Sequence, residues 1–203
     1  MMSNPFEAHS SGNNIKIGNN VNFGHGVVLN INGSGHQIEI ADGVTLRNIT
    51  INILGEQNKL IIGNNSNLRG AIHLRQKGSA LVVGCRVTSV AAYIFAMEGK
   101  KVQIGDDCMF SSGIYIRNSD EHPIYDIESG LRINEAKDVN IGNNVWIAEG
   151  VTLNKGACIP QGCVIGSRSV VSGVLKRKNS IYVGVPAKLA REGVKWSRVL
   201  PDA

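Results

Sequence analysis

The chain has 203 residues, with 24 Gly, 21 Asn, 23 Ile and 20 Val against only 5% aromatic and 18% charged residues. That much Ile and Val with so little charge excludes a disordered chain, and four Cys are too few for a disulfide scaffold. The net charge of +5 favours anionic partners without naming one; no helix-turn-helix, zinc-finger or aromatic RNA-binding pattern occurs, so nucleic acid is not an expected partner.

Residues 1–14 hold no basic segment followed by an apolar core, and no apolar run approaches the ~18 residues that cross a membrane. The expectation is a cytoplasmic protein with residues 1–14 as an N-terminal cap. From residue 15 a short motif recurs. Ile17-Gly18-Asn19-Asn20 returns as Ile40-Ala41-Asp42-Gly43, Ile62-Gly63-Asn64-Asn65, Val83-Gly84, Ile104-Gly105-Asp106-Asp107 and Ile141-Gly142-Asn143-Asn144. From 141 the chain falls into sixes, each opened by an aliphatic residue: Ile141, Ile147, Leu153, Ile159, Ile165 and Val171. Neither the 3.6-residue period of a helix nor the two-residue alternation of a lone strand gives a period of six. A short strand plus a turn every six residues does, and three such units close one triangular coil of 18.

The fold expected over 15–175 is therefore an all-β parallel β-helix of hexapeptide repeats. Asn and Gly turn its corners, because both tolerate left-handed backbone. The earlier repeat steps exceed 18 residues by three to five, which implies a small bulge or longer corner in those coils. The step from Ile104 to Ile141 leaves 19 residues over, so a loop is expected to leave the helix at about 117–137. Residues 176–203 depart from the repeat as a tail, with a short helix expected near 187–199.

The extruded loop carries His122, followed by Pro123, which restricts the backbone on both sides of it. Asp120, Glu121 and Asp126 flank the imidazole, an arrangement suited to a general base near neutral pH; the plain alternative is a surface histidine in a polar loop. Cys85, Cys108, Cys158 and Cys163 match no zinc spacing and read as core filler. No metal is expected, and His9, His25, His36 and His73 receive no role.

These segments together resemble the hexapeptide-repeat O-acetyltransferases, which form left-handed parallel β-helices. The matching features are the sixfold blocks, the loop with His122, Ile141-Gly142-Asn143-Asn144-Val145-Trp146-Ile147 and the terminal Val183-Gly184-Val185-Pro186-Ala187-Lys188. Ser-Asp-Glu-His-Pro-Ile-Tyr-Asp at 119–126, with Trp146 24 residues after the histidine, is most similar to the capsular sialic-acid O-acetyltransferases.

The resemblance implies direct transfer from acetyl-coenzyme A to a sugar hydroxyl, with His122 as base and Trp146 beside the acetyl and acceptor groups. Ala148 and Glu149, in the segment after the tryptophan, are expected at the donor, where backbone N–H groups would hold the oxyanion. Gly166, Ser167 and Arg168 match the coil that the pantetheine arm lies against, and Lys188 matches a position near the nucleotide end. Lys176 and Lys178 are weaker candidates of the same kind. Arg117 and Arg132 border the loop, and each is a candidate for a bidentate contact with a sugar carboxylate. A homotrimer with the site between subunits is implied as well. Three competing readings are a γ-type carbonic anhydrase, a non-enzymatic β-helix scaffold, and an acetyltransferase for another acceptor such as an antibiotic, serine or a simple sugar.

Overall fold

The computed structural model describes residues 5–200, and every repeat motif becomes the same piece of one coil. A parallel sheet of seven strands makes the first face: Asn14–Ile17, Gln37–Ile40, Lys59–Ile62, Ala80–Val83, Lys101–Ile104, Val139–Ile141 and Cys158–Ile159. The register pairs Ile17, Ile40, Ile62, Val83, Ile104, Ile141 and Ile159 in one inward ladder. From Ile40 onward its members are at most 3% exposed. Stacking like on like removes each aliphatic side chain from water, about 1.5–3 kcal/mol apiece.

After each of these strands the backbone turns a corner. Asn20, Asn65, Arg86, Asp107 and Asn144 take φ between 53° and 60° there, which Asn and Asp tolerate best among non-glycine residues. The preceding side chain links coil to coil: the Asn143 carboxamide oxygen accepts the Asp106 N–H at 2.9 Å, and the Asp106 carboxylate accepts the Cys85 N–H at 2.8 Å. The coils approach so closely that a Cβ on Gly105 would lie 2.7 Å from the Asn143 nitrogen. The Asn-rich composition is thus a consequence of the corners.

The second face follows, with Thr88–Ser89, Met109–Phe110, Trp146–Ile147 and Val164–Ile165 in parallel register. The third face holds Val27–Ser34, the later parts of Thr45–Glu56 and Asn67–Lys77, Ala92–Ala96, Ile114–Arg117, Thr152–Leu153 and Val170–Val171. The surplus length of the early coils lies mainly here, in long third-face strands, together with a register shift between Leu46 and Ile49. After Arg117 the chain leaves the third face and rejoins the first at Val139, within a residue or two of the expected loop.

Residues 7–9 form a single 3-10 turn, and Phe6 is fully buried with its ring 5.8 Å from that of Phe23; residues 1–4 of the expected cap lie outside the described residues. The helix expected near 187–199 is not formed. Lys188–Glu192 is instead a strand, antiparallel to Ser180–Val183. The last coil would otherwise expose unpaired backbone groups along an open edge, and a returning strand covers that edge as a helix would not. Gly193, at φ 70°, then turns the chain back along the second face. Residues 201–203 of the expected tail lie outside the described residues.

Candidate active site

The loop of 118–138 is organised around Asn134, only 7% exposed. Its amide nitrogen donates to the Asp120 carboxylate at 2.9 Å and to the His122 carbonyl at 2.9 Å. Its amide oxygen accepts from the Ile124 N–H at 2.7 Å and from Arg132 Nε at 3.3 Å. One side chain thereby fixes the backbone on both sides of His122, and the His122 N–H donates to the Asp120 carbonyl at 2.8 Å. Beyond this hub, Tyr125 and Arg132 form an antiparallel bridge, and Asp126 holds the turn by accepting from the Ser129 N–H at 2.8 Å.

Three ion pairs tie the loop to the corner between the third and first faces. Asp120 meets Lys155, Glu121 meets Arg75 at 3.2 Å, and Glu98 meets Arg132 at 2.6 Å. Lys155, followed by Asn134, holds the Asp120 carboxyl below the usual carboxylate range. Arg132, followed by the Ser119 hydroxyl, does the same for Glu98. The carboxylates flanking His122 in sequence are therefore spent on anchoring. The His122 imidazole is exposed and has no hydrogen-bond partner among the described residues, so neither Asp120 nor Asp126 bonds its ring here. Arg132, bidentate on Glu98, is likewise committed.

Trp146 stands elsewhere. It is an outward residue of the second face, paired with Met109 in one neighbouring coil and Val164 in the other. The second face lies opposite the corner from which the loop leaves, so one chain does not bring Trp146 to His122. Trp196 from the tail packs against it, with centroids 6.1 Å apart and planes at 46°. The Trp196 indole N–H donates to the Asn144 carbonyl at 2.8 Å. Arg198 then anchors the tail to the Thr88 hydroxyl and to the Arg86, Asp107 and Cys108 carbonyls at 2.7–3.3 Å.

The remaining candidates gather on the corner between the second and third faces. Ala148 and Glu149 follow Trp146 into that corner, and Gly166, Ser167 and Arg168 occupy it one coil later. The Ala148 N–H is committed to the Ile165 carbonyl at 3.0 Å, so it is not available as an oxyanion donor. The Glu149 carbonyl accepts from the Arg168 N–H at 2.8 Å, and the Glu149 N–H has no partner among the described residues. Lys188 is exposed opposite Val183, at the start of the strand that follows the turn closing the last coil beside this corner. Lys176 and Lys178 are exposed in the segment before Ser180.

No model of a known protein family matches the chain. The polysialic acid O-acetyltransferase of Neisseria meningitidis is 32% identical over 170 residues, covering 84% of this chain and 79% of its own length. The chain belongs to the hexapeptide-repeat O-acetyltransferases. A polysialic acid O-acetyltransferase of Escherichia coli O1:K1 is 35% identical over 137 residues, 68% of this chain and 44% of its own length. The crystal structure of the polySia-specific acetyltransferase NeuO superposes with a TM-score of 0.76 at 30% identity, over 92% of this chain and 83% of that one. As an O-acetyltransferase of this family the protein is an acyltransferase enzyme on a left-handed parallel β-helix.

Sequence reasoning missed Asn134, Lys155, Trp196 and Arg198. The first two lie in segments that break or merely continue the repeat, and nothing in their spacing marks them. Trp196, one of only two tryptophans, carried a signal in its rarity. The four cysteines are free; Cys108 and Cys163 are buried, and burial pushes the Cys108 thiol up to about 11, as suits core filler. Among the described residues no three His, Cys, Asp or Glu side chains gather as a metal site, and no helix is long and apolar enough to cross a membrane.

Proposed function

We propose that the protein transfers an acetyl group from acetyl-coenzyme A to a hydroxyl of sialic acid in a capsular polysaccharide, at a site shared between two copies of the chain in a homotrimer. The observation that carries this reading is the separation of the two candidate side chains. His122 sits on the corner between the third and first faces, and Trp146 stands on the opposite face. The loop also exposes large apolar groups around His122: Ile124 at 53%, Tyr125 at 58%, Ile127 at 99%, Leu131 at 67% and Ile133 at 65%. Such a patch marks an interaction surface. A neighbouring copy seated there would bring its Trp146 and its corner between the second and third faces to the histidine. The substrate class comes from the relatives, which are named for polysialic acid.

In this site His122 takes the proton of the acceptor hydroxyl as its oxygen attacks the thioester carbonyl. Backbone N–H groups at the corner after Trp146 meet the oxyanion, and the free Glu149 N–H is the one best placed for it. Collapse of the tetrahedral adduct breaks the carbon–sulfur bond, and the imidazolium returns its proton to the departing thiolate. The donor's phosphates suit the exposed cations at this end of the helix, Arg168 and Lys188 with Lys176 and Lys178 behind them. A cytoplasmic location accords with acetyl-coenzyme A as donor.

The test is release of free thiol from acetyl-coenzyme A with sialylated and neutral glycans, for the wild type and His122→Ala. Loss of about 10²–10⁴-fold in kcat is expected for the variant. Undiminished transfer by His122→Ala would sink the mechanism, and transfer only to non-sugar acceptors would remove the substrate assignment.

A further inference from the structure

Four cations cluster at the root of the loop, and only three have carboxylates. Arg75 holds Glu121, Lys155 holds Asp120, and Arg132 holds Glu98 with Glu135 at 3.7 Å. The fourth, Arg117, is the last strand residue before the loop; it is half-buried and has no ion-pair or hydrogen-bond partner for its guanidinium among the described residues. Asp120 feels Arg117 only as a weak, more distant charge. An arginine left over where Glu98, Asp120 and Glu121 are already paired is a cation waiting for an anion from outside.

The guanidinium is also held in place. Its carbon lies 5.4 Å from the centroid of the Phe95 ring, one coil earlier on the third face. His73 stacks on the other side of Phe95, with centroids 4.6 Å apart and planes at 3°. The Asn52 amide donates to His73 Nδ1 at 3.1 Å, and Asn30 donates to Asn52 at 2.7 Å. A column of three coils therefore backs the ring that Arg117 rests on. The ring contact restrains the guanidinium while its N–H groups have no partner among the described residues, and such a free fork takes a carboxylate in a two-pronged contact. Beside it, on the same side of the strand, Tyr115 is 42% exposed and stacks on Tyr93 at 5.0 Å. That pair offers phenol groups to sugar hydroxyls.

We infer that Arg117 binds the carboxylate of an acidic acceptor sugar, with Tyr115 beside it, and so sets the enzyme's preference for acidic over neutral glycans. This deepens the acceptor reading above and rests on it. Phe95 and His73 are positioning residues, acting only through Arg117.

The experiment compares wild type, Arg117→Ala and Arg117→Lys on three acceptors: an oligomer of sialic acid, its carboxyl methyl ester, and a neutral oligosaccharide. For Arg117→Ala the KM for the free acid should rise about 10- to 100-fold, the worth of a charge-assisted hydrogen-bond pair. The KM for acetyl-coenzyme A should not move, and the ester should be used equally by variant and wild type. Arg117→Lys, which keeps the charge and loses the fork, should fall between, and it carries the test if the alanine variant does not fold. If Arg117→Ala keeps the wild-type preference for acid over ester, the assignment of Arg117 is wrong while the acidic acceptor stands. If the wild type itself uses the neutral sugar as well as the acid, the acceptor reading fails and takes this inference with it.

Discussion

Replacing Asn134 by Ala should separate the stability of the loop from that of the helix. The side chain makes four hydrogen bonds, to the Asp120 carboxylate, the His122 carbonyl, the Ile124 N–H and Arg132 Nε. Two involve charged partners, worth about 1.5–3 kcal/mol each, and two are neutral, worth about 1. The Arg132 contact is long at 3.3 Å, and Arg132 keeps Glu98, so its share is small. The expected loss is on the order of 3.5–5 kcal/mol, applied to the 21 residues between Arg117 and Val139. No inward ladder passes through those residues, so the coils have no reason to melt with them. A local unit of this kind opens below the global free energy. Amide protection at 122–134 should therefore fall by about 10²-fold or more, kcat/KM should drop with it because the His122 backbone loses both restraints, and the melting temperature should shift by no more than ~3 °C. Hydrogen exchange, calorimetry and thiol-release kinetics on one preparation decide the matter. A melting temperature that falls as far as the loop energy would predict, or full activity with an unprotected loop, would refute the separation.

Two further outcomes follow from the same contacts. Glu98 and Asp120 are both held below the usual carboxylate range, by Arg132 and Lys155 first. A depressed native pKa stabilises above the unfolded value of about 4 and is lost as pH falls through the native one, so loop protection factors should hold near neutrality and decline below about pH 4. Glu98→Gln should flatten that dependence. Arg198→Ala removes four hydrogen bonds from the tail while leaving every coil intact, so segment 194–200 should become protease-sensitive with little change in melting temperature. Trp146 and Trp196 are the chain's two tryptophans, so its intrinsic fluorescence should shift to the red as they part; an unchanged spectrum would show that the tail is not held by Arg198.

What was legible in the sequence was whatever the repeat enforces. Ile17 to Ile159 announce the inward ladder because stacking demands one residue type at one interval, and Asn144 and its equivalents announce the corners because few residues accept φ near 55°. The loop showed itself as the one step too long by a whole segment. The tail was misread: 187–199 has no repeat to constrain it, and its fate was decided by an open strand edge that only the assembled helix presents. For the same reason Asn134 stayed hidden, since its partners are 2 to 14 residues away along an aperiodic loop.

The arrangement of the site follows from the same geometry. A β-helix can extrude chain only where a coil turns, because a strand interrupted in mid-face would break the ladder above and below it. The loop with His122 accordingly leaves at a corner, between the third and first faces. Trp146 belongs to a strand of the second face, whose outward positions alternate with the buried Val145 and Ile147. Periodicity thus forces the two groups apart within one chain, by the width of the prism, however the loop is arranged. A loop only 21 residues long, and pinned to its own corner by Lys155, Arg75 and Glu98, does not wrap round to the far face. The exposed Ile124, Ile127, Leu131 and Ile133 are the surface through which the proposed assembly would close the gap. In the proposed trimer the loop would be buried against a second prism, where the parallel alignment of two copies would set one chain's corner against the other's second face.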